Sequence, residues 1–329
     1  MNLSCAIAPG PDAPAHARLA ESLGYERIWL FDSPALYTDV WINLARVADA
    51  TESIGIGAAV LVPSLRSVLT TASAIASIEM IAPGRLAVAI GTGFTGRLML
   101  GQKALTWKFT EGYIRSLRAL LRGEMVEAEG GRLKMCMPDG LGPARPIGVP
   151  ILVAANGPKG LAVAKELGDG VMCVAAPQPG FEWCSLLTMG TVFDEGEDLE
   201  SPRVFEAIGP AIATMYHGTY EANGEGVDAL PGGREWRLEI EKIPEETRAL
   251  KVHEDHLVRV TDLDRRFISP QMGAAFFTGT PEQLRKRLAD LEAAGLSELL
   301  YSPLGPDIER EMRRMAEVVL GGAPSHTGN

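Results

Sequence analysis

The sequence predicts a parallel (β/α)₈ barrel, and three observations predict it. Short apolar runs rich in β-branched residues alternate with longer stretches of helical periodicity along most of the chain. The runs are apolar almost throughout, which marks parallel strands covered by helices. Eight of them can be read, the number that closes a barrel, although an open doubly wound sheet shares the same alternation.

LSCAIA (3–8) reads as the first strand, and the Ala-rich stretch 12–23 after it as a helix with Leu19 and Leu23 on its apolar face. RIWLFD (27–32) is the second strand and 39–51 the helix behind it. IGIGAAVLV (54–62) is the third, followed by a helix over 67–81 that stops before Pro83–Gly84. LAVAIGTG (86–93) precedes a helix over 107–122. PILVAAN (150–156) and GVMCVAA (170–176) are the fifth and sixth strands, separated by a helix starting near Pro158. RVFEAIGPAIAT (203–214) reads as a seventh strand interrupted by a proline. SELLYSP (297–303) closes the series between helices 281–294 and 306–319. Segments 123–149 and 216–280 fit no β–α step and read as insertions, the larger before the last strand. With no internal repeat and no low-complexity linker, residues 1–329 are taken as one domain.

Composition narrows the function. At 46% hydrophobic and 22% charged, the 329 residues suit a globular protein. A net charge of −11 argues against nucleic acid or an anionic membrane as the main partner. No apolar run approaches the roughly 18 residues of a membrane span. The first residues carry no basic stretch and read as a strand, not a signal peptide, so a cytoplasmic protein is expected. Cys5, Cys136, Cys173 and Cys184 lack zinc spacing and read as inert thiols.

In barrels of this kind, chemistry sits at the C-terminal ends of the strands. Three such ends stand out. Gly91-Thr92-Gly93 allows close backbone approach to a ligand, although tight turns use the same residues. Ala154-Ala155-Asn156-Gly157-Pro158-Lys159 puts small residues, a proline suited to the first helical position and a lysine at a helix start. Free N–H groups there, with the helix dipole, favour a phosphate, the alternative being a capped helix with a solvated lysine. Asp32 ends an otherwise apolar strand; it either caps the next element or serves as an acceptor or acid–base group beside a bound ring. His253 and His256, three apart, are read as substrate-pocket or capping residues, with no metal expected because no third ligand is evident. Trp107, Trp183, Trp236, Phe94 and Phe181 read as core, or as the walls of an apolar pocket.

The runs RIWLFDSP, IGIGAAVLVPSLRSVLTTASAIASIEMIAPGRLAVAIGTG and PILVAANGPKGLAVAKELGDGV resemble the luciferase-like monooxygenase superfamily of flavin- or deazaflavin-dependent barrels. The resemblance covers roughly 15–176 and returns over 278–320. Its Ala-Ala-x-Gly-Pro element is more similar to the coenzyme F420 branch, which includes methylenetetrahydromethanopterin reductases. There the end of the third strand carries a non-proline cis peptide against the deazaflavin ring, and the matching residues are Ala59 and Val60. The resemblance assigns Thr92, Gly93, Ala154, Ala155, Asn156 and Gly157 to the cofactor, and the strand-end reading adds Pro158, Lys159 and Asp32, the last also the catalytic candidate. Ser33, Phe94, Phe181, His253 and His256 fall to the substrate side.

Two positions depart from the F420-dependent sugar-phosphate dehydrogenases, which have Asp-His and Gly-Thr-Gly-Glu where this chain has Asp32-Ser33 and Gly93-Phe94. Sugar-phosphate oxidation is therefore not expected. The resemblance implies an F420-dependent oxidoreductase acting on a small organic substrate. The alternatives are an FMN-dependent monooxygenase served by a separate flavin reductase, or a non-catalytic flavin-binding homologue. It also implies a homodimer, for which helix 67–81 supplies an apolar face.

Overall fold

A computed structural model describes residues 1–321. The strands are β1 (Asn2–Ile7), β2 (Arg27–Leu30), β3 (Gly55–Leu61), β4 (Leu86–Ile90), β5 (Val126–Ala128), β6 (Gly131–Leu133), β7 (Ile151–Ala154), β8 (Gly170–Cys173), β9 (Cys184–Met189) and β10 (Glu298–Ser302). All but β5 and β6 close into a barrel in the order β1-β10-β9-β8-β7-β4-β3-β2. The steps β1–β2, β2–β3, β3–β4, β4–β7, β7–β8 and β8–β9 are parallel. The expected barrel is the fold.

The helices up to β8 are α1 (Ala13–Ser22), α2 (Val40–Ala50), α3 (Val68–Ile81), α4 (Thr95–Leu98), α5 (Trp107–Leu121) and α6 (Pro158–Leu167). Beyond β9 come α7 (Pro202–Asn223), α8 (Gly233–Ile240), α9 (Glu245–Val252), α10 (Asp262–Arg265), α11 (Pro281–Ala293) and α12 (Ile308–Leu320). Residues 123–149 form the antiparallel β5–β6 hairpin and its approach to β7.

The seventh strand is not where the sequence reading put it. Residues 203–214 lie inside helix α7, and β9 takes the strand's place. Val204, Ala207, Ile208, Ala211 and Ile212 are buried at helical spacing, so period 3.6 overrides the β-branched composition. Pro202 suits the first helical turn, and Pro210 is tolerated within 22 residues of helix. The excursion before β10 therefore begins at the end of β9 and not at residue 216.

The described residues divide into two compact units, Met1–Leu187 with Leu291–Leu300, and Thr188–Asp290 with residues 301–321. In the first, Trp29 fills the barrel. Ala6, Ala59, Ala87 and Ala89 pack with it, as do Leu152, Met172 and Leu300. Trp29 pairs across the ladder with Gly57, where a Cβ would overlap the indole. One large ring thus needs small residues on the neighbouring strands. At the strand starts, Arg27 donates to the carbonyls of Ile56 and Arg85 at 3.2 and 2.6 Å and lies over the Trp29 and Trp183 rings. In the second unit, Val204, Ile208, Ile212, Tyr216, Trp236 and Ile240 form the heart of a separate core.

Candidate active site

The strand ends of the first unit gather the cofactor candidates. Asp32 follows β2 and is 4% exposed. Arg66 Nη1 donates to its Oδ2 at 2.6 Å, and Arg66 Nη2 donates to Asp39 Oδ2 at 2.8 Å. Asp39 is also the N-cap of α2, its Oδ1 accepting from Trp41 N and Ile42 N. One guanidinium thus ties the end of β2 to the start of α2. Burial raises the Asp32 carboxyl above the usual carboxylate range, and the opposing pull of Arg66 and the Val62 N–H does not cancel it. Burial also acts on the more exposed Asp39, but Arg66 and the capping N–H groups outweigh it and hold that carboxyl below the usual range. Arg66, with two carboxylates, is held charged despite its own burial.

Beside this charged edge lies an apolar cradle. The β3–β4 register shifts between Ala58 and Leu61, where the peptide joining Ala59 to Val60 is cis. Gly91 faces that bulge, and a Cβ on it would lie 2.9 Å from Val60 Cγ1 and 3.2 Å from Ala154 Cβ. The ends of β3, β4 and β7 therefore converge on a residue without a side chain. Gly93 has φ +74°, and a Cβ there would overlap Val62. Thr92 is half-buried, its carbonyl accepting from Leu105 N at 2.9 Å. Phe94 is 56% exposed and Val174, just past β8, is 61% exposed.

At the end of β7, Ala154 is half-buried and Ala155 buried, with Ala155 N donating to Met172 O at 3.0 Å. Asn156 Oδ1 accepts from Val174 N at 3.0 Å and Ala175 N at 3.4 Å, joining the ends of β7 and β8. Gly157 is the N-cap of α6 with no side chain to satisfy the first N–H groups, and a Cβ there would meet open space. Pro158 starts the helix, and Lys159 beside it is exposed. An uncapped helix N-terminus next to a cation is suited to an anionic group.

Arg66, Asp39, Gly96 and Val174 are the participants the sequence reading missed. Gly96 lies against Asp32 and Ser33, its would-be Cβ 3.6 Å from the Asp32 carbonyl and 3.7 Å from Ser33 Oγ. An arginine just past an apolar strand end was the visible signal for Arg66, but its partner lies 34 residues away.

Phe181 does not belong to this end. It precedes the start of β9, and Lys165 in the last turn of α6 sits 5.9 Å from its ring. With β9 in its true place, the loop through Phe181 has already returned to the N-terminal ends of the strands. His253 and His256 belong to the second unit, are 1% and 8% exposed, and face each other with Nδ1 atoms 2.8 Å apart. A third histidine does stand beside them, contrary to the sequence reading: His217 of α7, hidden while 203–214 was read as strand.

The luciferase-like monooxygenase family pattern matches residues 6–298, and the chain belongs to that family of enzymes. It is 27% identical to the 5,10-methylenetetrahydromethanopterin reductase of Methanolobus tindarius, over 93% of this chain and 94% of the relative. It is 25% identical to the enzyme of the same name from Archaeoglobus fulgidus, over 93% of each. Among solved structures, the coenzyme F420-dependent tetrahydromethanopterin reductase from Methanopyrus kandleri superposes with a TM-score of 0.67 at 19% identity, covering 97% of this chain and 98% of that one. No described helix is long and apolar enough to cross a membrane.

Proposed function

We propose that the protein is a coenzyme F420-dependent oxidoreductase that moves a hydride between the deazaflavin and a small, largely apolar organic molecule. The observation that carries this is the convergence of the Ala59–Val60 cis bulge, Gly91 and Ala154 at the strand ends, with an uncapped helix N-terminus in the same unit. The residues present fit a planar ring with an anionic tail. Val60, Gly91 and Ala154 would take the ring, and the α6 N–H groups with Lys159 would take the charge. Relatives of 31–32% identity over 40–47% of the chain are named F420-dependent dehydrogenases, which supports F420 over FMN.

When bound, the deazaflavin supplies or accepts two electrons as a hydride at C5. The chain's own task is positioning and exclusion of water. A substrate carbon must be held within about 3–3.5 Å of the ring. The exposed Phe94 and Val174 offer apolar surface for it, while Asp32 and Arg66 form the polar edge. Ser33 and Phe94, in place of His and Glu, favour a substrate that needs no strong acid–base group. The exposed Met80 and Ile81 of α3 support a homodimer through that helix.

The test is isotopic. Enzyme, F420 reduced with deuterium at C5 and a panel of small apolar acceptors are incubated without oxygen. Deuterium in one product, with loss of reduced cofactor, supports the proposal. Reduced FMN and O₂ giving an oxygenated product, with F420 inert, replaces it with the monooxygenase reading. No turnover with either points to a binding protein.

A further inference from the structure

The second unit holds a histidine cluster that the reaction above does not use. His217 comes from α7, His253 caps the C-terminus of α9 and His256 follows three residues on. They are 3%, 1% and 8% exposed. One candidate ligand nitrogen from each lies within 4.8 Å of the others.

The outer nitrogens are already engaged. His217 Nε2 is 3.1 Å from Asp264 Oδ1, and His253 Nε2 is hydrogen-bonded to Glu221. Asp264 is fixed in turn by Trp236 Nε1 at 2.8 Å and Thr261 Oγ1 at 2.7 Å. A carboxylate on one ring nitrogen places the proton there and leaves a lone pair on the other. His217 and His253 therefore each offer Nδ1. His253 Nδ1 shares a 2.8 Å hydrogen bond with His256 Nδ1. His217 Nδ1 is buried with no hydrogen-bond partner, and so is Oε2 of Glu221. Buried polar atoms are nearly always satisfied, and the orphan Nδ1 of His217 points to a missing partner with positive charge.

We propose that His217, His253 and His256 form a three-nitrogen site for a divalent transition ion, Zn²⁺ foremost. A water fills the fourth position. Imidazole ligands with a carboxylate outer shell match the donor preferences of zinc. Tetrahedral Zn–N bonds of about 2.0–2.1 Å put the nitrogens about 3.4 Å apart, so ring shifts of roughly an ångström suffice. His256 would pass its Nδ1 proton to Nε2, with no net proton lost from the imidazoles. A groove of about 800 Å³ is lined by Asp264, the partner of His217, and by Val252 and Asp255, the chain neighbours of His253 and His256. Buried on all three ligands, the site is structural, fastening α7 to the segment that carries His253 and His256.

The full chain, with any affinity tag removed, is treated with chelator, titrated with Zn²⁺ or Co²⁺ and checked for metal content. The expected result is about one ion per chain and a raised Tm with Zn²⁺. Co²⁺ should give visible tetrahedral bands without a sulfur charge-transfer band. Asp264→Asn, which keeps the shape and weakens the outer shell, should lower Co²⁺ affinity about 10–100-fold. His217→Gln should abolish the bands while circular dichroism stays native. If either variant fails to fold, Co²⁺ titration of the wild-type chain decides alone. No stoichiometric binding and no Tm change in that folded chain, or unaltered bands in folded His217→Gln, would overturn the assignment.

Discussion

Asp32 and Arg66 form a 2.6 Å ion pair at the end of β2, with 2% and 15% of their side chains exposed. Removing one partner of so buried a pair leaves an uncompensated charge. Arg66→Met should therefore cost about 3–5 kcal/mol, read from denaturant melts, and slow turnover as well. The double variant Asp32→Leu with Arg66→Met should recover most of the stability and none of the activity. If the single variant is as stable as the wild type, the pair is not what fixes this corner.

Asp39 gives a pH dependence of definite sign. Its folded carboxyl titrates below its unfolded value, so its contribution is present above about pH 4 and is lost as pH falls through the folded value. Asn caps a helix as well as Asp does, so Asp39→Asn isolates the charge. The Tm gap between wild type and variant should be widest at pH 5–7 and close towards pH 3. A gap independent of pH would mean that the charge contributes nothing.

Gly157 separates cofactor binding from stability. Its φ of −106° and ψ of 163° suit an ordinary N-cap residue, and its missing side chain faces open space. Gly157→Asp should keep or slightly raise Tm, since Asp is the better cap. The same carboxylate should repel an anionic cofactor and weaken its binding by roughly tenfold, about 1.4 kcal/mol. Unchanged affinity, by fluorescence titration, would remove the α6 N-terminus from the site.

Much of this was legible in the sequence because parallel barrels write their strands as apolar runs. β2 to β4, β7, β8 and β10 fall within the runs read for them, β1 starts one residue before its run, and α3 and α6 start within a residue of the positions read for them. The Ala59–Val60 bulge was reached only through family resemblance, since nothing in the local sequence encodes a cis bond. β9 was lost because six residues, CSLLTM, follow a Pro/Gly-rich turn and were outweighed by the longer run 203–214. That error carried others with it. It put Phe181 at the wrong end of the barrel and hid the helical phase that sets His217 and Glu221 one turn apart. The Arg66 pairs were invisible for a different reason: ion pairs across tens of residues leave no periodic trace.

Gly190, just after β9, checks that reassignment. A Cβ there would overlap the Phe277 carbonyl, in a stretch where Phe277 N donates to Met189 O at 2.8 Å and Tyr301 Oη to Gly190 O at 2.9 Å. The obstacle is backbone and cannot rotate away. Gly190→Ala should cost about 3 kcal/mol or more, read as a lowered denaturant midpoint. A neutral result would show that β9 ends differently.

The central claim is that the cradle at Val60, Gly91 and Ala154 takes a deazaflavin. Parallel titrations of the purified protein with F420 and FMN, followed by quenching of its tryptophan fluorescence, test it most directly. A preference for F420 of at least roughly tenfold, about 1.4 kcal/mol, is expected. Equal or tighter binding of FMN would contradict it.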